Sequence, residues 1–162
     1  MINFDRIEGD IFIGSAPQNS VDVPYLKQLN ITAVLSLQSD QDFKSHRIDW
    51  KKLQSAYQYN DIVMERFAII DFDEADLGDK LADPVRALNN LLSAGHRVYV
   101  HCNAGVCRAP ATVLGYLCHF RGMQLEQGLD YIRRNRPQAH PYVSAVEKAL
   151  TQLSQTAKNS LS

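Results

Sequence analysis

The chain has 162 residues, 45% hydrophobic and 22% charged, enough apolar material for one core without disulfide or metal support. Its 17 lysines and arginines against 18 aspartates and glutamates leave a net charge of −1, which argues against a nucleic-acid or anionic-membrane binder and leaves any anion to be met locally. No apolar stretch reaches the length of a membrane span or a signal-peptide core, so a cytoplasmic protein is expected; the sequence does not give its oligomeric state, for which a monomer is the default.

In chain order, "DIFIGS" (10–15) alternates like a strand, Ser20 is placed to cap a short helix through Leu29, and "ITAVLSL" (31–37) reads as a buried strand. A helix over about 49–57 precedes a strand-like "IVMERFAII" (62–70). Asp83 and Pro84 open a helix with Val85, Leu88, Leu91 and Leu92 on one face, closed by Gly95. "RVYV" (97–100) is the next strand, and helices follow over about 108–121, 125–134 and 141–153. Strands alternating with helices predict an α/β fold: a mainly parallel central sheet of about four to five strands flanked by helices, with ligands at the carboxyl ends of the strands. One domain over 1–154 is expected, with a polar tail, 155–162, that frays.

The segment "VYVHCNAGVCRAPA" (98–111) carries the chemistry, because it places Cys102 at the end of a strand and Arg108 at the start of a helix. A turn that curls about its own centre points the amides of residues 103–108 inward. The result is an anion nest reinforced by the positive end of the following helix. Gly105 supplies a positive φ, and the planar fork of Arg108 suits two phosphate oxygens at once. The same field favours the thiolate of Cys102 as a nucleophile aimed at phosphorus. The plain alternative, a buried cysteine beside a surface arginine, loses because a chance C-x-x-G-x-x-R in a chain this long has odds on the order of one per cent. A zinc site at His101, Cys102 and Cys107 lacks a second ligand pair at the usual spacing, so no metal and no cofactor are expected. Cys102, Cys107 and Cys118, an odd number crowded into one region, form no disulfide framework and suit a reducing compartment.

At His101, Cys102 and Arg108 the sequence resembles the cysteine-dependent dual-specificity phosphatases, whose signature is H-C-x5-R. The resemblance runs over about 3–153, and "HCNAGVCRAPA", "IIDFDEADL" (69–77) and "SLQSDQDF" (36–43) are worded most like the plant glucan phosphatases. It implies a phosphatase-like fold and hydrolysis of phosphomonoesters through a phosphocysteine. Asn103, Ala104, Gly105, Val106 and Cys107 would form the phosphate-binding loop. Ala109 stands where many members have Ser or Thr, as it does in the plant enzymes, and Ser45 and His46 stand where those enzymes place an aromatic pair.

Displacement at phosphorus needs an acid for the leaving oxygen and a base for the returning water, work one carboxyl group can do in both directions. Acidic residues gather in "DFDEADLGD" (71–79), on the same rim as Cys102. Asp71 follows the strand directly and matches the family's acid; Asp73 and then Asp76 are the alternatives. Phe72 could stack on a substrate ring or anchor its loop. His101 is assigned a structural role, a ring nitrogen turned to backbone beside the cysteine. Arg133, Arg134 and Arg136 complement a helix end, while the resemblance brings the 136–140 loop, with Gln138, to the rim. The expected partner is a phosphorylated substrate: a phosphoprotein carrying phosphotyrosine and phosphoserine or phosphothreonine, or alternatively a phosphoglucan or another non-protein ester. A phosphate-binding module without turnover would lack the nucleophile or the arginine. A rhodanese-type sulfurtransferase fits poorly, since three helices follow the loop and an acid loop precedes it. Cys107 is read as a small packed side chain, with protection of an oxidised Cys102 as the alternative.

Overall fold

The computed structural model describes residues 1–160. Five strands, β1 (Phe4–Glu8), β2 (Ile11–Gly14), β3 (Ala33–Ser36), β4 (Val63–Arg66) and β5 (Val98–His101), form one sheet in the order β1-β2-β5-β3-β4. β1 lies antiparallel on β2, and every other pairing is parallel. The register sets Gly14, His101, Ser36 and Arg66 side by side at the carboxyl ends. Those four positions are the floor from which the site rises.

Alternation along the strands decides which side each residue packs on. Ile11, Ile13, Ala33, Leu35, Val98 and Val100 join one core layer, and Phe12, Val34 and Tyr99 join the other. The first layer is covered by α5 (Ala82–Ser93), α6 (Arg108–His119), α7 (Leu125–Asn135) and α8 (Val143–Ser160). The second is covered by α1 (Asp22–Gln28) and α3 (Trp50–Tyr59). α6 is the buried centre of the larger layer, with Ala109, Ala111, Val113, Leu114 and Leu117 all at 0% exposure.

Three elements are absent from the sequence reading, and others differ from it in their caps or ends. β1 was not expected, because Asp5, Arg6 and Glu8 mask its alternation; as an edge strand it tolerates them. α2 (Asp40–Ser45) is six residues long and has little apolar periodicity. A capping box secures it, Ser39 accepting from the Asp42 amide while Asp42 accepts from the Ser39 amide. α4 (Glu74–Lys80) occupies most of the segment read as an acidic loop, with Asp73 as its cap. Ser20 does not cap α1: the side-chain oxygen of Asn19 accepts from the amides of Val21 and Asp22 instead. The strand read over 62–70 leaves the sheet after Arg66. The polar segment from Gln155, expected to fray, continues α8 to Ser160 as an exposed helical end; residues 161–162 of that tail lie outside the described residues.

Candidate active site

β5 delivers Cys102 to the carboxyl edge of the sheet, and the chain then curls through residues 103–107 into the first turn of α6 at Arg108. Four successive carbonyls of that curl are engaged outward. Asn103 O accepts from the Ala16 amide at 2.9 Å, Ala104 O from Arg136 Nη2 at 3.0 Å, Gly105 O from Arg136 Nε at 2.8 Å and Val106 O from the His140 amide at 2.6 Å. A trans peptide points its N–H opposite to its C=O, so the amides of residues 104–107 face the middle of the loop. Gly105 makes the turn possible at φ +69°, where a Cβ would also lie 2.6 Å from the Gly14 carbonyl and 2.9 Å from Arg136 Nη2.

Arg108 is buried at 2% exposure, and its guanidinium divides into two halves. Nη1 donates to Asp42 Oδ2 at 2.7 Å, to the Ile69 carbonyl at 2.7 Å and to the Leu37 carbonyl at 3.2 Å. Nε and Nη2 are buried without a hydrogen-bond partner. Asp71 Oδ2 stands 3.4 Å from Nη2, within ion-pair reach but outside hydrogen-bond geometry. A buried arginine with two unused donors is an unmet demand for an acceptor with two oxygens.

Asp71 does not follow the strand directly, since β4 ends at Arg66; it lies in the turn before α4, its Oδ2 also accepting from Asn103 Nδ2 at 3.2 Å. The other carboxylates of the segment are committed to structure. Asp73 accepts from the Asp76 amide, and Asp76 accepts from the Ile70 amide and pairs with Lys80. Those bonds hold the Asp76 carboxyl below its ordinary range although burial alone would raise it. Of the acidic candidates, Asp71 is the one brought to the loop. α4 is fastened from behind, where Glu74 accepts from Ser144 and Asp79 pairs with Lys148 of α8. Phe72 adopts φ +60°, a strained conformation for phenylalanine, and is 87% exposed. It borders a cleft of about 260 Å³ shared with Ser39, Gln41, Ser45, His46 and Asn103.

His101 is fully buried, and its Nδ1 donates to the Cys102 carbonyl at 2.9 Å. Burial pushes its pKa down to about 4, so the ring is neutral with Nδ1 protonated. That is the backbone-facing arrangement expected of it. Cys107 accepts from the Tyr142 amide, and burial pushes its thiol up to about 11; it packs against the larger core layer as a small side chain. Gln138, expected at the rim, donates from Nε2 to Asn3 Oδ1.

Two buried groups escaped the sequence reading. Asp42 receives Arg108, the Ser39 amide and Asn103 Nδ2; burial alone would raise its carboxyl, but these donors hold it below the ordinary aspartate range. The S-x-x-D spacing of its capping box was the available signal. Arg136, read as a helix-end charge, is 0% exposed and spends Nε, Nη1 and Nη2 on Gly105 O, Asp5 Oδ2 and Ala104 O.

Residues 11–155 match the family "Dual specificity phosphatase, catalytic domain". The chain belongs to that family. It is 31% identical over 150 residues to the phosphoglucan phosphatase DSP4, amyloplastic, of Castanea sativa, covering 91% of this chain and 40% of the relative. It is 27% identical to laforin of Mus musculus, over 95% of this chain and 50% of that protein, and 26% identical to dual specificity protein phosphatase 1 of Homo sapiens, over 86% and 34%. The chain therefore spans half or less of the length of these curated relatives. Among solved structures, PTPMT1 superposes with a TM-score of 0.76 at 18% identity, over 97% of this chain and 99% of that one, and human DUSP28 with 0.68 at 21%, over 96% and 95%. These likenesses extend to the fold.

Proposed function

We propose that the chain hydrolyses phosphomonoesters by way of a phosphocysteine. The reading rests on the unspent half of Arg108: two buried donors, Nε and Nη2, beside a loop whose amides face one small space. A phosphate satisfies both sets with its three terminal oxygens and presents phosphorus to Cys102. The Cys102 thiolate attacks phosphorus while the bond to the ester oxygen breaks, and Asp71 gives its proton to that leaving oxygen. Water then attacks the phosphocysteine as Asp71 takes a proton back, releasing phosphate and restoring the thiolate. His101 keeps the Cys102 carbonyl turned away from the loop centre and moves no proton itself.

Phosphotyrosine and phosphoserine or phosphothreonine in proteins are the substrates this reading favours, in keeping with family membership. A phosphorylated glucan is the second reading. It is favoured by the likeness to the Castanea phosphoglucan phosphatase and by the polar cleft that Phe72 borders. Three free cysteines accord with a reducing cytoplasm. Cys102→Ser is expected to abolish turnover of an aryl phosphate while tungstate still binds, because Arg108 and the amides remain; turnover near the unaltered rate would end the covalent mechanism. A panel of phosphopeptides and phosphorylated amylopectin, ranked by kcat/KM, decides between the two substrate readings.

A further inference from the structure

Asn103 contributes its backbone to the phosphate loop, yet its carboxamide is committed as well. Oδ1 accepts from Gln38 Nε2 at 2.8 Å, and Nδ2 donates to Asp42 Oδ1 at 2.8 Å and to Asp71 Oδ2 at 3.2 Å. Carboxylates only accept, so the two acids fix which end of the amide faces them. Gln38 obeys the same constraint. It is 0% exposed and turns Nε2 to Asn103, leaving its own Oε1 buried without a partner. The direction of the whole chain of amides is thus set from the acid end.

Asp71 has few other holds. Oδ1 accepts from the amide of its neighbour Phe72, and Oδ2 stands near Arg108 Nη2, one of the two atoms a bound phosphate would occupy. Once phosphate engages Arg108, Asn103 is the side-chain donor that Asp71 retains. Resting on the reading of Asp71 as the acid, we infer that Asn103 is a positioning residue: its carboxamide, anchored by Gln38 and Asp42, holds Asp71 over the phosphate loop during the reaction.

Acid catalysis matters most when the leaving group is poor, which separates this role from mere support of the loop. In Asn103→Ala, kcat on an alkyl phosphate should fall by about tenfold or more, and kcat on p-nitrophenyl phosphate by less than about threefold. Tungstate affinity should stay within about twofold, and the basic limb of the pH profile should move. Gln38→Met, which keeps the volume and removes the donor, should show the same pattern more weakly. The double variant should be no worse than Asn103→Ala alone. Gln38→Met carries the test should Asn103→Ala fail to fold. Equal losses on both substrates would make Asn103 a structural part of the loop and overturn the inference. Asp71→Asn is run alongside. If it lacks the leaving-group dependence, the reading of Asp71 fails; if it shows the dependence and Asn103→Ala does not, that reading stands and the inference falls.

Discussion

The loop that joins β5 to α6 lies between two buried arginines that use their donors differently. On its outer side Arg136 spends all three nitrogens on protein, two on loop carbonyls and one on Asp5. On its inner side Arg108 satisfies Leu37, Asp42 and Ile69 through Nη1 alone and keeps Nε and Nη2 unpaired. Both side chains are at or below 2% exposure, so burial does not tell them apart. What separates structure from site is the donor left over: Arg136 is complete without a ligand, and Arg108 is not.

The largest expected effect is on the incomplete side. Arg108→Lys keeps a charge for the three acceptors around Nη1 but offers nothing in place of Nε and Nη2. Turnover of an aryl phosphate should fall by about a thousandfold, roughly 4 kcal/mol of transition-state stabilisation, with tungstate affinity falling in parallel. A lysine variant near full activity would put Arg108 in the same class as Arg136. Next comes Arg136→Met, which leaves two loop carbonyls and Asp5 without their donor. It should cost about 3 kcal/mol of stability, a fall in Tm of roughly 6 to 12 °C, read by thermal melting. An unchanged melt with lost turnover would instead make Arg136 part of the site.

His101 gives the smallest effect and extends the comparison to a third committed group. Its folded pKa of about 4 lies below the ordinary 6.5. On acidification the unfolded chain therefore binds the proton first. Stability from this group is intact above about pH 6.5, falls between 6.5 and 4 and levels off below, with a loss of about 2 kcal/mol from pH 7 to pH 5. Asp42, held low, stays ionised across that window. Denaturant midpoints at pH 7 and pH 5 measure the slope, and His101→Asn should flatten it; a slope unchanged in that variant would assign it to another group.

β2, β3 and β5 were legible because they are short, largely apolar runs buried on both faces, and Cys102, Gly105 and Arg108 because a strand-to-helix turn with that spacing is rare by chance. Asp71 could be narrowed but not isolated, since Asp73 and Asp76 share its segment; in the structure Asp73 and Asp76 accept from the Asp76 and Ile70 amides, whereas Asp71 lies beside Asn103. β1 and α2 were hidden for a common reason. Each is short and polar, and each is kept by tertiary bonds, Asp5 with Arg136 and Asp42 with Arg108. The buried state of Arg136 was equally invisible, because three arginines in "YIRRNRP" look alike until the 136–140 turn folds one of them under the loop.

Arg136 reaches Asp5 across 131 positions of sequence, and Arg108 reaches Asp42 across 66. Such bonds reward the chain only after the intervening segments have collapsed, since loop closure must come first. Sheet and helices can therefore be present in refolding molecules that have no working loop. Recovery of turnover reports completion of the whole domain, with β1 and the turn after α7 both in place, rather than formation of the central strands that carry Cys102.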